Sequence, residues 1–342
     1  MEGGFIKREK KGDLGGEKEG KVRSNTMYKR NEEKKLGGLI NKGVKMNGKL
    51  LKFFIAGFFI LSTSVFAEIK VVATLPWIGD IAKQIGKEKV SVTVLVKTSQ
   101  DPHYVEAKPS LIIAARKADI LMYNGLDLEI GYLPVIIESS KNPNIQPGKI
   151  GNFDCSQFVT PIEKPSSVDR SMGDVHPLGN PHYHFSPSNI LKVAQGMAET
   201  LGKIDPSNES YYKKNYQEFY EKWQEKTKKW KSANLAGKKF VAYHSLFSYL
   251  AKEFNFQIVG CIEAKPGIPP SSAEMQKIIE TINRTKPNAI LVNVYSPKRA
   301  VDFVAGKTGV KTILVPHDVG SVAGTDDWFS FMDRVVSLLS EA

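Results

Sequence analysis

From Glu68 onward, the chain alternates between short apolar runs and segments with helical spacing of apolar residues. The runs "IKVVATLP" (69–76) and "VSVTVLVKT" (90–98) are continuous and rich in β-branched residues, whereas "WIGDIAKQIG" between them has helical spacing. Continuous apolar strands are typical of a parallel sheet that is covered on both faces, and strand–helix alternation predicts βαβ units. Residues 68–206 are therefore predicted to form an N-terminal α/β domain.

Residues 207–234 follow a different pattern. The stretch from Asn208 to Ala233 contains neither glycine nor proline, and its large aromatic residues recur at steps of four, three, four and seven, which places them on one face of a helix. These residues are Tyr212, Tyr216, Phe219, Trp223 and Trp230. An aromatic stripe of this kind indicates packing rather than a ligand site. We expect one long linking helix here.

The strand–helix alternation then restarts with "KKFVAYH" (238–244) and continues to a final helical segment, "DDWFSFMDRVVSLLSEA". Residues 235–342 are therefore predicted to form a C-terminal α/β domain. The predicted fold is two doubly wound α/β domains joined by one long backbone helix. Ligands of such open sheets bind beyond the carboxyl ends of the strands, so two domains that face each other predict a site in the interdomain cleft.

The N-terminal region has its own pattern. Residues 46–67, "MNGKLLKFFIAGFFILSTSVFA", combine two lysines, a short apolar core and small or aliphatic residues before a cleavage point, which predicts a secretory signal peptide and a periplasmic protein. An N-terminal anchor helix is the less favoured alternative, because a membrane span needs about 20 apolar residues. No cysteine follows the apolar core, so we expect no lipid anchor. Residues 1–45 are predicted to be a disordered extension, or to precede the true start codon at Met46 or Met27.

The charge of the chain is concentrated in that N-terminal region. The formal net charge is +12, but residues 1–67 hold fifteen basic and seven acidic side chains, which leaves only +4 for residues 68–342. The folded part is therefore only mildly basic, and a nucleic-acid partner is not expected. The two cysteines, Cys155 and Cys261, could form one disulfide after export or remain two buried thiols, and the sequence leaves both alternatives open.

Histidine is scarce in this chain and unevenly placed. There are six histidines, and three of them fall within residues 176–184. Several histidines and one aspartate follow predicted strands or lie in loops of the two domains: His103, His182, His244, His317 and Asp318. Because strand-to-helix connections meet at one edge of a doubly wound sheet, we expect these side chains to converge.

Imidazole and carboxylate groups are ligands for zinc and neighbouring divalent metals. Three histidines and one aspartate would fill a four-coordinate shell around Zn²⁺ and leave no position for a reactive water, which favours binding over catalysis. Prolines precede both His103 and His182 and restrict the backbone there. The HExxH motif of zinc hydrolases is missing from the sequence, so a zinc-dependent hydrolase is a weak alternative.

Seven motifs occur in a fixed order along residues 68–342, behind the predicted signal peptide. They are "VATLPWIGDIAKQIG", "DPHYVEAKPS", "ADILMYNGLDLE", "GNPHYHFSPSN", "AYHSLFSYLAKEFN", "IEAKPGIPPSSAEM" and "VPHDVGSVAGTDDWFSFM". With them, the chain resembles the metal-binding solute-binding proteins of bacterial ABC importers, in particular the zinc-specific, ZnuA-like members. The resemblance implies a periplasmic zinc-capture protein that is not an enzyme, is a monomer and delivers Zn²⁺ to an ABC permease and its ATPase.

The resemblance also implies a ligand set: His103, His182, His244 and Asp318. Manganese-type relatives tend to carry glutamate at the third position, so His244 implies zinc. The alternative within the class is a manganese or iron receptor, and a surface adhesin is weaker still. Because the ligands must be deprotonated, binding is expected to weaken below about pH 6.

Some positions depart from the family pattern or stay open. His317 is the rival of Asp318 for the fourth position. His184 is interpreted as a surface residue in preference to an auxiliary ligand. His176, with Asp174, could be a reduced version of the family's histidine-rich loop that passes metal to the site. Glu106 is either a carboxylate that orients His103 or an exposed charge.

Overall fold

A computed structural model of the protein describes residues 68–169, 172–173 and 175–342. The predicted extension at 1–45 and the predicted signal peptide at 46–67 lie outside the described residues. The described residues belong to one compact unit. Within the described part of the chain, no helix is both long enough and apolar enough to cross a membrane.

The first half contains a four-stranded sheet in which every neighbouring pair of strands is parallel, in the order β2-β1-β3-β4. Its strands are β1 (Ile69–Ala73), β2 (Val90–Val94), β3 (Ile120–Tyr123) and β4 (Asn152–Asp154). Its helices are α1 (Pro76–Gly86), α2 (Pro109–Arg116), α3 (Leu133–Ser140) and α4 (Pro187–Ile204). The sequence pattern did not predict α3 or β4, and the three residues of β4 are too few to show a periodicity.

The long helix was predicted from the aromatic stripe, and the structure confirms it as α5 (Glu209–Lys231). Tyr212, Phe219 and Trp230 are buried on its inner face, as packing residues should be. The outer residues of the helix are charged and exposed. Its C-terminal end is tied to the last helix of the chain, where Trp230 Nε1 donates a 2.8 Å hydrogen bond to Asp333.

The second half repeats the strand order of the first, as β6-β5-β7-β8, again with parallel pairing throughout. Its strands are β5 (Lys239–Ala242), β6 (Gln257–Cys261), β7 (Ala289–Val292) and β8 (Thr312–Leu314). Its helices are α6 (Ser248–Phe254), α7 (Ser272–Thr285), α8 (Lys298–Thr308) and α9 (Trp328–Ser340). The predicted α/β architecture with two parallel sheets and one long helix is therefore confirmed.

Two apolar cores hold these elements. The larger core extends through both halves and contains the first sheet, the inner face of α5, one face of the second sheet, α6 and the aromatic residues of α9, including Trp328 and Phe331. The smaller core lies in the second half, where β5 and β7 bury Val241 and Ile290 against Ile278 of α7. Because α9 belongs to the second half in sequence but packs in the larger core, it helps to join the two sheets.

The two cysteines are both free thiols. Cys155 is buried and Cys261 is half-buried. Burial raises the pKa of Cys261 to about 12 and that of Cys155 well above its usual range, so neither is a reactive thiolate. Of the two alternatives left open by the sequence, the structure shows two thiols.

Candidate metal centre

Four histidine rings meet at the carboxyl ends of the strands. The ring of His103 lies at the centre of the group, with centroids 5.3 Å from His176, 5.3 Å from His182 and 5.4 Å from His244. The rings of His182 and His244 are 5.1 Å apart. We call these four residues the imidazole cluster. Three of the cluster's members, His103, His182 and His244, are residues that the sequence predicted as ligands.

His103 sits in a short 3₁₀ helix, Pro102–Tyr104, that Asp101 begins. One carboxylate oxygen of Asp101 accepts from the backbone N–H of His103 at 3.0 Å and contacts the ring Nδ1 at 2.6 Å. Burial alone would raise the pKa of Asp101, but the hydrogen bonds from His103 lower it overall, so the carboxylate is ionised. Glu106, which the sequence offered as the orienting carboxylate, is exposed. Asp101 occupies the orienting position instead.

His244 lies two residues beyond the end of β5. Its Nδ1 is 2.5 Å from a carboxylate oxygen of Glu263, which follows the neighbouring strand β6. The side chains of His244 and Glu263 are each 13% exposed. Sequence reasoning missed both Asp101 and Glu263. Asp101 lies two residues before His103, and Glu263 lies two residues after the end of β6.

His182 is the most deeply buried member of the imidazole cluster, with 2% of its surface exposed. Asn180 fixes its loop, because the Asn180 side chain accepts from the His182 N–H at 2.8 Å and donates to the Ser245 carbonyl at 2.8 Å. Ser245 belongs to the second half, so this bond holds His182 beside His244. Burial and the neighbouring imidazoles hold the pKa of His182 well below its ordinary value, so its ring is neutral.

The hydrogen bonds determine which ring nitrogens are free for a metal. Since a carboxylate only accepts, Nδ1 of His103 and Nδ1 of His244 carry the protons and their Nε2 atoms present lone pairs. The Nε2 atoms of His182 and His244 are 3.1 Å apart. That distance is close to the roughly 3.3 Å edge of a tetrahedron with zinc–nitrogen bonds of about 2.0–2.1 Å.

His176 is the member of the cluster that the sequence did not assign as a ligand. Ligand atoms of His103, His176 and His182 all lie within 4.8 Å of one another. Among the described residues, neither His103 Nε2 nor His176 Nε2 has a hydrogen-bond partner, although both atoms are buried. Buried polar atoms normally have a partner, which can be an ordered water or an ion. Other buried atoms, such as Nδ1 of His184 and of His317, also have none in the described residues, so it is the proximity of His103, His176 and His182 that indicates a metal site. The sequence signals for His176 were the spacing of the three histidines in residues 176–184 and the resemblance to a reduced histidine-rich loop, and neither assigned it to the metal shell.

Asp318, predicted as the fourth ligand, is buried in the loop after β8. It borders the same small cavity as His182, but its carboxylate accepts the backbone N–H groups of Val319, at 2.7 Å, and of Trp77 in the first turn of α1. Burial raises the pKa of Asp318 well above its usual range. In the described part of the chain, the group whose ligand atoms all lie within 4.8 Å of one another includes neither Asp318 nor His244, but His244 Nε2 lies 3.1 Å from His182 Nε2.

The rival residue, His317, also lies apart from the cluster. Its carbonyl accepts a 2.8 Å hydrogen bond from Nε2 of His184, and its ring packs edge-on against Tyr295 at 4.6 Å. His184 is buried and stacks on Trp77, with the two rings 10° from parallel. The interpretation of His184 as a surface residue was therefore wrong. Its ring joins the two halves through packing and one hydrogen bond.

Comparisons with known proteins agree with this architecture. The family model described as "Zinc-uptake complex component A periplasmic" matches residues 71–342. A crystal structure of ZnuA superposes with a TM-score of 0.67 at 22% sequence identity, covering 80% of this chain and 99% of that one. An Mn-bound periplasmic metal-binding protein from candidatus Liberibacter asiaticus gives 0.66 at 22% identity, with 80% and 99% covered. These two structures share the two-sheet fold with this chain.

Curated relatives differ in the metal that their names carry. The high-affinity zinc uptake system protein ZnuA of Bacillus subtilis (strain 168) is 27% identical over 258 residues, which is 72% of this chain and 77% of that protein. The manganese ABC transporter substrate-binding lipoprotein PsaA of Streptococcus mitis is 26% identical over 250 residues, 71% of this chain and 78% of that protein. The match over residues 71–342 shows that the chain belongs to the periplasmic zinc-uptake component A family of metal-binding proteins of ABC transporters.

Proposed function

We propose that this protein captures Zn²⁺ in the periplasm and delivers it to an ABC permease that is driven by a cytoplasmic ATPase. Family membership supports the transport role, since the similar proteins are substrate-binding components of metal ABC transporters. The zinc assignment rests on the site of this chain. Its single strongest support is that His103 and His244 each have Nδ1 held by a carboxylate, which leaves Nε2 free, and that His244 Nε2 lies 3.1 Å from His182 Nε2.

The donor set favours zinc over manganese. Neutral imidazole suits zinc, whereas manganese favours carboxylate, carbonyl and water oxygens. His103, His182 and His244 supply nitrogen, and the nearest acidic side chains, Asp101 and Glu263, contact the outer ring nitrogens instead of facing the cluster. The names of the relatives do not decide between the metals, because both zinc and manganese proteins match.

Metal capture should hold the two halves together. His103 and His182 come from the first half and His244 from the second, so a metal bound by all three bridges the halves. The long helix α5 and the packing of α9 in the larger core limit how far the halves can separate. A small opening that withdraws His244 from the other two ligands would weaken the site and allow release at the permease.

A manganese receptor is the second candidate, because several manganese-binding lipoproteins match at similar identity. It requires a hard oxygen donor in the shell, and Asp318 is the residue placed to supply one. Its carboxylate would have to leave the backbone N–H groups of Val319 and Trp77 and turn toward His182.

Metal stoichiometry and competition on purified residues 68–342 would test the zinc assignment. We expect one tightly held zinc per chain that a large excess of Mn²⁺ does not displace. The His103→Ala/His182→Ala/His244→Ala triple variant should lose this binding. Ready displacement by Mn²⁺, or tight zinc binding by the triple variant, would contradict the proposal.

A further inference from the structure

We infer that His176 supplies a fourth imidazole to the bound metal, so that the shell is four histidines instead of three histidines and Asp318. This inference rests on the proposed function and specifies the ligands of the same site. It differs from the ligand set that the family resemblance implies. Four observations support it: the position of the His176 ring, the path of its loop, the state of Asp318 and the charge of the site.

The first observation is the position of the His176 ring. A ligand atom of His176 lies within 4.8 Å of those of His103 and His182, which is a short closing movement away from a common metal ion. The Nε2 atom of His176 is buried, and nothing in the described residues satisfies it. A histidine in a polar loop normally turns such an atom to water, so this orientation favours a ligand role.

The second observation is how the loop holds His176 over the cluster. The backbone at Gly173 has φ +81° and passes so close to the second half that a Cβ there would lie 2.2 Å from the Pro266 carbonyl oxygen. On the other side, Val175 and His176 line a cavity with Ile130 and Gly131 of the first half. The loop therefore passes between the two halves just before it places the imidazole beside His103.

The third observation is the state of Asp318. Its carboxylate is already satisfied by two backbone N–H groups, one of them in the first turn of α1, where a helix N-terminus favours negative charge. If the Asp318 carboxylate turned toward the metal, those two N–H groups would lose their hydrogen-bond acceptor. Asp318 thus has a structural role that explains its burial, since it joins the loop after β8 to a helix of the first half.

The charge of the site also agrees with four neutral ligands. Asp101 and Glu263 contact Nδ1 of His103 and of His244, so each of the two carboxylates is one hydrogen bond away from a proposed metal ligand. Together they can balance a divalent cation without an acidic ligand. A nitrogen-only shell also selects zinc more strongly than a shell with one carboxylate, because manganese favours oxygen donors.

The test compares zinc affinity, measured by competition with a chromophoric chelator, in residues 68–342 and three variants. His176→Gln removes the imidazole but keeps a polar side chain, and we expect it to weaken zinc binding by roughly 100-fold or more, beyond the loss of an outer partner. Asp318→Asn should change the affinity by less than about 10-fold. Val168→Ala, at an exposed position earlier in the chain segment before His176, is the control and should bind like the parent protein.

X-ray absorption at the zinc edge gives a second readout, and the spectrum of the parent protein does not depend on how the variants fold. Four imidazoles in the parent protein and three in His176→Gln are expected. Unchanged affinity in His176→Gln together with a large loss in Asp318→Asn, or a carboxylate in the parent shell, would overturn the inference while the zinc receptor stands. If the parent protein itself holds zinc weakly and prefers Mn²⁺, the proposed function fails instead.

Discussion

The two halves of the molecule have the same sheet topology but different shares in the imidazole cluster. Both sheets run in the order 2-1-3-4 within their half, with every pair parallel. The first half contributes three imidazoles from irregular loops, at His103, His176 and His182, whereas the second contributes His244 just beyond β5. The shared topology brings the strand ends together, and the residues in the loops determine which half supplies the imidazoles.

The halves also differ in how their ligands are fixed. Asp101 orients His103 from two residues away within one short helix, a local arrangement. Glu263 orients His244 across neighbouring strands β5 and β6, so that arrangement depends on the second sheet being intact. The orientation of His103 therefore rests on local loop conformation, whereas that of His244 rests on tertiary structure.

The largest expected effect comes from removing one ligand from each half. A four-ligand structural zinc site is worth about 10–16 kcal/mol, so losing one ligand should cost roughly 3 kcal/mol, on the order of 100–1000-fold in affinity. We expect His182→Ala and His244→Ala to show losses of this size in a zinc titration. If His244→Ala bound zinc like the parent protein, the first half alone would hold the metal and the bridging role of the site would be wrong.

The orienting carboxylates should show a smaller effect. Asp101→Asn and Glu263→Gln each keep the size of the side chain but remove the charge that fixes a ring nitrogen, and about 10- to 100-fold weaker zinc binding is expected for each. Chelator competition measures both. Glu106→Gln is the control, since Glu106 is exposed and should leave the affinity unchanged.

A pH effect of intermediate size should appear in the metal-free protein. Burial, with the charges of neighbouring imidazoles, lowers the pKa of His176 to about 3, whereas the unfolded chain protonates histidine near pH 6.5. Between about pH 6.5 and 3 the unfolded state binds more protons, so the free energy of unfolding should fall as the pH falls. Urea denaturation at pH 7.5 and 5.5 checks this. In the His176→Gln variant, the free energy of unfolding should fall less steeply as the pH falls. An equally steep fall would contradict the lowered pKa of His176.

The smallest effects come from two helical glycines, one in each half. At Gly196 of α4, a Cβ would lie 2.2 Å from the ring of Phe158, and Gly196→Ala should destabilise the protein by about 1–3 kcal/mol. At Gly306 of α8 the space is open, so Gly306→Ala should stabilise it by roughly 0.5–1 kcal/mol. Denaturant midpoints measure both. If both substitutions changed the free energy of unfolding by similarly small amounts, the core around Gly196 would accommodate an added methyl group as easily as the open space at Gly306.

The sequence was most informative where a pattern extends over many residues. The long helix and seven of the eight strands followed from periodicity and apolar runs, because burial on both faces of a sheet or along one face of a helix repeats in the sequence. β4 was missed because only Asn152–Asp154 form it. His103, His182 and His244 could be singled out because each follows a strand or lies in a loop beside proline.

What the sequence could not show is which side chains, remote in sequence, lie next to each other in the folded chain. The proximity of His176 to His103 depends on a loop whose path is set by its contact with Pro266 in the second half. The pairing of His244 with Glu263 depends on strand register, and the burial of His184 on its stacking against Trp77. Such contacts are products of tertiary packing and leave no periodic signal.

The most direct test of the central claim is a crystal structure of residues 68–342 with zinc, with the metal located by anomalous scattering. One zinc should lie about 2.0–2.1 Å from Nε2 of His103, His182 and His244, so that both halves hold it. The fourth ligand should be His176. A metal bound only by residues of one half, or at a place remote from the imidazole cluster, would contradict the claim that zinc capture joins the two halves.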